Sequence, residues 1–394
     1  MSGRVRIAGV GMVPFTKPGK SDTYVAMGSA AIREALRDAS VSYDQIGQVY
    51  AGFVYADSCA GQRVAYEVGM TGVPVINVNN NCATGSTALF LARQSVAAGA
   101  VECALAVGFE QMIPGALGLV FNDRPSPLER FDVALEQNVG QVENVPAALR
   151  YFGAAGKAHM DEYGTPLETF AAIRAKASRH AARNPLALFR KVLTTEEVMA
   201  SPVIWEGVMT RLMACPPTCG AAAAIVCSEA FARKHGINAT VRISAQAMTT
   251  DQPDSLNSGD MRLAVGAGIA HKAREQACED AGIDIADVDV AEIHDCFAQN
   301  ELISYEALGF CGPGEAEKFV ADGDNTYGGQ VVTNPSGGLL SKGHPLGATG
   351  LAQCYELTHQ LRGTAGDRQV QGARIALQHN LGLGGACVVT LYEG

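Results

Sequence analysis

The spacing of apolar positions alternates between two periods along the chain. RVRIAGVGM at the N-terminus reads as a buried strand, and the stretch from Ser29 to Asp38 sets Ala31 and Ala35 at helical spacing. QVYAGFVY and PVINVNNN read as further strands, a helix is expected after Cys82, and ECALAVGF reads as the next strand. The alternation resumes at VRISAQAM and ends with RIALQHN and ACVVTLY. Between Pro114 and Ala214 it loosens into Pro-, Arg- and Asn-bearing loops with helices such as LETFAAIRAKASRHAAR. TCGAAAAIVCSEA, near 218 to 230, predicts a strand that returns the chain to the first sheet.

The pattern repeats. Ala31, Ala35, Asp38, Ala39, Val41 and Ile46 meet Ala273, Ala277, Asp280, Ala281, Ile283 and Val288 at an offset of 242 residues. A second match, at an offset of 262, sets CATGSTAL from Cys82 against HPLGATGL from His344. Each copy reads strand, helix, strand, helix, strand, which predicts right-handed crossovers and sheets covered on both faces. The fold class is therefore α/β, with two βαβαβαββ-like halves about a pseudo-dyad. The expected boundaries are 1–113 for the first half, 114–214 for an inserted loop domain, 215–240 for the return and 241–394 for the second half.

Composition narrows the function. Thirty basic residues against forty acidic ones give a net charge of −10, with no basic stripe for a nucleic acid or an anionic membrane. Hydrophobic residues are 47% and charged ones 18%, a balance that suggests an oligomer. Eleven cysteines in apolar or glycine-rich settings indicate a reducing compartment. With no secretory pattern, no membrane-length apolar run and no S-K-L ending, the expected location is the cytoplasm. No GxGxxG follows a strand and no Walker motif occurs, so nicotinamide and nucleoside triphosphates lack support.

Chemistry concentrates at turns. Cys82 lies between VINVNNN and a Gly/Ser/Thr-rich helix start, a position where backbone N–H groups favour a thiolate and can hold an oxyanion. The alternative is a cysteine buried as a small hydrophobe. His344 holds the matching turn of the second copy, so a pseudo-dyad would bring thiol and imidazole together as an activated nucleophile. His294 and Cys296, in HDCF at the end of VDVAEI, are candidates for an oxyanion donor and a second proton carrier, the alternatives being a metal pair or a plain turn. No zinc-site spacing accompanies them, so no metal is expected, and Cys215 and Cys219 of CPPTC read as structural. HNLGLGG, with Asn380 in it, could present the Gly382 or Gly384 N–H to a developing oxyanion, or is simply a hairpin.

With NNNCATGS, HDCF, NPSGG, GHPLGATG and HNLGLGGA in this order, the chain resembles the thiolase superfamily. It is most similar to the thiolase domain of sterol-carrier-protein-type 3-ketoacyl-CoA thiolases, across essentially its whole length. The resemblance implies a nucleophilic Cys82, a His344 base, Cys296 as acid/base and His294 on the thioester oxygen. It also implies a second oxyanion hole from the backbone of Gly382 and Cys82. Met160, Asn334 and Ser244 are its candidate substrate contacts. Coenzyme A is implied as substrate with no resident cofactor, in a homodimer or tetramer. The common thiolase pattern has a second cysteine where this chain has Asn380-Leu-Gly382. The expected activity is thiolysis of 3-ketoacyl-CoA. Two readings compete with it: a retro-aldolase or acyltransferase with a small partner subunit, and a non-catalytic lipid-binding scaffold.

Overall fold

A computed structural model describes residues 5–114, 121 and 123–394. Its first half contributes β1 (Val5–Met12), β2 (Gln48–Gly52), β3 (Val75–Val78) and β4 (Cys103–Glu110). A small hairpin, β5 (Val203–Trp205) and β6 (Met209–Thr210), stands apart, and β7 (Gly220–Ser228) follows it. The second half contributes β8 (Arg242–Thr249), β9 (Val290–Glu292), β10 (Val332–Thr333), β11 (Ile375–Gly382) and β12 (Ala386–Glu393).

These ten strands run β3-β2-β4-β7-β1-β8-β12-β11-β9-β10. Outward from the β1–β8 junction, both halves give the same succession with the same directions. β2 is parallel to β3 and β4, as β9 is to β10 and β11, and the two inner pairs of each half are antiparallel. The halves join where the Ile7 N–H donates to the Val241 carbonyl at 2.9 Å. The duplication in the sequence is thus a duplication of topology. β7 sits between β1 and β4, the place expected for TCGAAAAIVCSEA.

Helices of ten or more residues are α1 (Tyr24–Ala39), α2 (Thr84–Ala97), α3 (Glu129–Asn138), α4 (Ala147–Tyr163), α5 (Leu167–Ala181), α6 (Ala267–Ala281), α7 (Ala298–Leu308) and α8 (Thr349–Arg362). α1 starts where Thr23 accepts the Ala26 N–H and stops at Ser40, which takes a left-handed φ of 54°. β7 shows why the sheet needs cover on both sides. Ala221, Ala223, Ile225 and Cys227 share one core with Ala31, Ile32 and Ala35, while Ala222, Ala224 and Val226 share another with Leu89 and Leu351. α3 to α5 build a third core against the second half, where Phe131, Tyr151 and Phe170 meet Phe297 and Leu302.

α2 and α8 meet at their N-terminal ends between the halves. A Cβ on Gly85 would come 3.1 Å from the Gly350 nitrogen, and one on Gly350 would overlap the Ser86 backbone. The helices begin at Thr84 and Thr349, so Gly85 corresponds to Gly350. This corrects the 262-residue alignment by about one helical turn. The second copy carries extra residues before its helix, including a π-helical turn at Gly338–Lys342. Cys82 and His344 therefore occupy equivalent connections without being equivalent residues. Among the described residues no helix is long and apolar enough to cross a membrane.

Candidate active site

Cys82 lies on the elbow between β3 and α2. Asn81 takes a left-handed φ of 50°, and the turn is tied by Asn80 N–H to Thr84 Oγ1 at 2.8 Å and Thr84 N–H to Asn81 O at 3.1 Å. Gly382, at the end of β11, abuts this elbow so closely that a Cβ would overlap the Asn80 carbonyl.

His344 comes from the other half. Its N–H donates to Thr218 Oγ1 at 3.1 Å, and Gly347 N–H, in the same turn, donates to Glu110 Oε2 at 3.0 Å. One potential ligand atom from each of Cys82, His294 and His344 lies within 4.8 Å of the others. The pseudo-dyad thus brings together the thiol and imidazole that the sequence separates by 262 residues.

Hydrogen bonds assign the imidazole tautomers. Thr349 Oγ1 donates to Pro345 O at 3.0 Å, so at 2.7 Å it accepts from His344 Nδ1–H. His344 Nε2 is then a bare acceptor, buried without a partner in the resting site. His294 is the reverse. Gln378 Nε2 donates to Ser86 Oγ at 2.7 Å, and Ser86 donates to Asn380 Oδ1 at 2.8 Å. The Asn380 amide must therefore donate, to the Cys82 carbonyl and to His294 Nδ1, each at 3.1 Å. His294 Nε2 consequently carries the proton. One imidazole is ready to take a proton and the other to donate a hydrogen bond. The trio suits acid–base chemistry better than a metal, since only His344 offers a free nitrogen lone pair.

Burial keeps both rings neutral. It lowers His344 to about 3, with Lys342 adding to the effect, and holds His294 well below its ordinary value, with His344 and His379 adding. Cys82 departs from the expected thiolate. Burial, and then the Glu110 carboxylate, push its thiol up to about 12, so it rests protonated. Cys296 is also buried, and burial followed by the nearby Cys215 and Cys82 sulfurs raises its thiol well above the ordinary range. It is a protonated thiol at neutral pH.

CPPTC has a location its spacing did not reveal. Cys215 N–H donates to Cys296 O at 2.9 Å, Ala214 bridges Phe297 and Pro217 bridges His344. The segment lies between the HDCF loop and the His344 turn; Thr218, from it, holds the His344 N–H, and Glu110, from β4, holds the same turn at Gly347. Nothing local in the sequence marks either residue.

The three candidate substrate contacts lie elsewhere. Asn334 is wholly buried, its Oδ1 accepting the Ile293 N–H at 2.8 Å, and it braces the start of the HDCF loop. Ser244, on β8, is turned to Glu393 of β12, far along the strand from the site. Met160 is half-buried in the last turn of α4, against the third core. None of the three joins the Cys82 cluster.

Comparison with known proteins agrees with this geometry. Residues 5–186 match the family described as "Thiolase, N-terminal domain" and 254–391 match "Thiolase C-terminal domain-like". Sterol carrier protein 2 of Homo sapiens is 50% identical over 394 residues, covering 99% of this chain and 72% of that protein. Among solved structures, the Ltp2-ChsH2(DUF35) aldolase superposes with a TM-score of 0.82 at 22% identity, covering 100% of this chain and 98% of that one. Human mitochondrial 3-ketoacyl-CoA thiolase in complex with CoA does so with a TM-score of 0.76 at 20% identity, with the same coverage. The duplicated sheet and these family matches, with an acetyl-CoA acetyltransferase of Methanothermobacter thermautotrophicus 34% identical over 94% of each chain, establish that the chain belongs to the thiolase superfamily and is an acyltransferase.

Proposed function

We propose that this acyltransferase is a 3-ketoacyl-CoA thiolase that works through an acyl-enzyme on Cys82. The observation that carries the reading is the opposed tautomers of His344 and His294 beside one thiol. In the cleavage direction the Cys82 thiol proton passes to His344 Nε2 as sulfur attacks the 3-keto carbon. The C2–C3 bond then breaks, leaving the acyl group on sulfur and its electron pair on C2 of acetyl-CoA. His294 Nε2–H holds the thioester oxygen that shares this charge, and the Cys296 thiol protonates C2. Coenzyme A next gives its thiol proton to the Cys296 thiolate and attacks the acyl group. Cys82 leaves and recovers its proton from His344. Both proton carriers return to their starting states, and the reverse sequence is a Claisen condensation. No resident cofactor is needed.

A homo-oligomer in the cytoplasm completes the proposal. β3 ends the sheet order, and the large apolar side chains of Tyr66 and Met70, just before it in the chain, are exposed. Thiolysis of acetoacetyl-CoA and longer 3-ketoacyl-CoAs, followed by loss of substrate absorbance with and without free CoA, tests the reaction. CoA-dependent cleavage is expected, and no cleavage at any chain length by folded protein would refute it. The match to an aldolase supports a second reading, retro-aldol cleavage with a small partner subunit. That chemistry needs no acyl-Cys82, so acyl mass on the enzyme separates the two.

A further inference from the structure

HDCF contributes His294 and Cys296 to the site, but its Asp295 has no part in the chemistry described. Asp295 is wholly buried and faces the turn that leads into His344. Its Oδ1 accepts the Leu339 N–H at 2.6 Å and its Oδ2 the Leu340 N–H at 3.2 Å. Two consecutive N–H groups converging on one carboxylate form an anion-binding nest. The nest is cleared for it: Gly337 and Gly338 have φ of 97° and 58°, and a Cβ on Gly338 would overlap the carboxylate. His344 follows within six residues of Gly338.

Both ends of this contact have further holds. The His344 side has many other holds. Arg174 donates to Ser341 Oγ, Glu292 accepts from Ser336 N–H at 3.0 Å and Lys342 Nζ at 3.1 Å, and Thr218, Thr349 and Glu110 fix the turn beyond. The HDCF side is held by Asn300 at the His294 carbonyl, Cys215 N–H at the Cys296 carbonyl, Asn380 at His294 Nδ1 and Asn334 just before the loop, and among the described residues its hydrogen bonds to the Gly338–His344 turn are those of Asp295. Burial, and then Glu301, raise the Asp295 carboxyl well above its ordinary range, the Leu339 and Leu340 N–H groups and Lys176 oppose this, and Arg174 lies in the same surroundings.

We propose that Asp295 is a positioning residue for the carbon–carbon bond step, fixing the His294–Cys296 loop to the turn that carries His344. This rests on the thiolase reading. Acyl transfer to Cys82 from a simple thioester forms no carbanion, and His344 can pass the proton it took from Cys82 on to the departing CoA thiolate, so this step uses Cys82, His344 and the backbone oxyanion hole, all held without Asp295. Cleavage and condensation also need Cys296 over C2 and His294 on the thioester oxygen.

The test is a split between half-reactions in the full-length protein. In Asp295→Asn, an amide N–H must confront a backbone N–H, and the loop shifts. Acyl uptake from acetyl-CoA, read by intact mass, should stay within about threefold of the unsubstituted enzyme, while acetoacetyl-CoA thiolysis falls about 100-fold, the usual effect of an ångström-scale misplacement. Gly338→Ala displaces the same carboxylate without changing charge and should give the same split. Equal loss of both half-reactions, no loss of either, or failure of both variants to fold would overturn the proposal and leave Asp295 a structural residue. Absence of acyl uptake by the unsubstituted enzyme would instead refute the thiolase reading.

Discussion

The imidazoles of His294 and His344 meet edge to face, with ring centroids 5.1 Å apart, and carry opposite protonation at Nε2. Two similar rings side by side thus do different work because their far-side partners differ: a threonine hydroxyl that accepts, and an asparagine amide that donates.

Thr349→Val keeps the size of the side chain and removes the acceptor at His344 Nδ1. The buried N–H left behind should cost about 1–3 kcal/mol of stability. Loss of the fixed tautomer should slow acetyl transfer to Cys82 by about tenfold to a hundredfold. Rapid-quench mass spectrometry with acetyl-CoA measures this rate, and substrate affinity should change little.

A resting thiol at Cys82 has its own signature. With the thiol pushed up to about 12, only a small fraction is ionised at neutral pH. Iodoacetamide alkylation of Cys82 should therefore rise about tenfold per pH unit between pH 7 and 9, since the thiolate is the reactive form. A plateau across that range would show a thiolate already formed at pH 7. Peptide mapping of timed samples gives the rates.

Glu110 predicts a pH dependence of stability. Its carboxylate accepts N–H groups from Tyr55 at 2.9 Å, Val54 at 3.1 Å and Gly347 at 3.0 Å, yet burial outweighs these and raises it from 4.5 to about 7. The native state then holds this proton more tightly than the unfolded chain. The resulting stabilisation is complete below about pH 4.5 and is lost as pH rises through about 7, a change on the order of 3 kcal/mol. Urea unfolding of Glu110→Gln at pH 4.5, 6 and 8 should show a correspondingly flatter profile than that of the unsubstituted protein.

Much of this architecture is legible because small residues and periodicity are local signals. The strand–turn–helix around Cys82 and its echo before α8 can be read directly, and equivalent connections in a duplicated fold converge at a pseudo-dyad. The register between copies cannot be read the same way. A π-helical turn inserted before His344 leaves the Gly-x-Thr spacing intact while moving it by a turn, and only the contact of Gly85 with Gly350 reveals the shift. The resting state of Cys82 differs from the thiolate that its turn predicts, for a related reason. Its helix N-terminus is visible in the sequence, whereas the burial and the Glu110 charge that oppose it come from residues far along the chain. Thr218, Glu110 and the Ser86–Asn380 relay act across strand ends, where no sequence spacing records who meets whom. Ser244, read as a substrate contact, faces Glu393 instead.

The central claim, that Cys82 carries the acyl group and Cys296 only moves protons, is tested most directly by intact-protein mass spectrometry of Cys82→Ala and Cys296→Ala incubated with acetyl-CoA. Cys296→Ala should gain one acetyl mass and lose thiolysis by about 10²- to 10⁴-fold, the usual effect of a missing general acid or base. Cys82→Ala should gain no acetyl mass. Acetylation of Cys82→Ala together with none of Cys296→Ala would contradict the account and reverse the two roles.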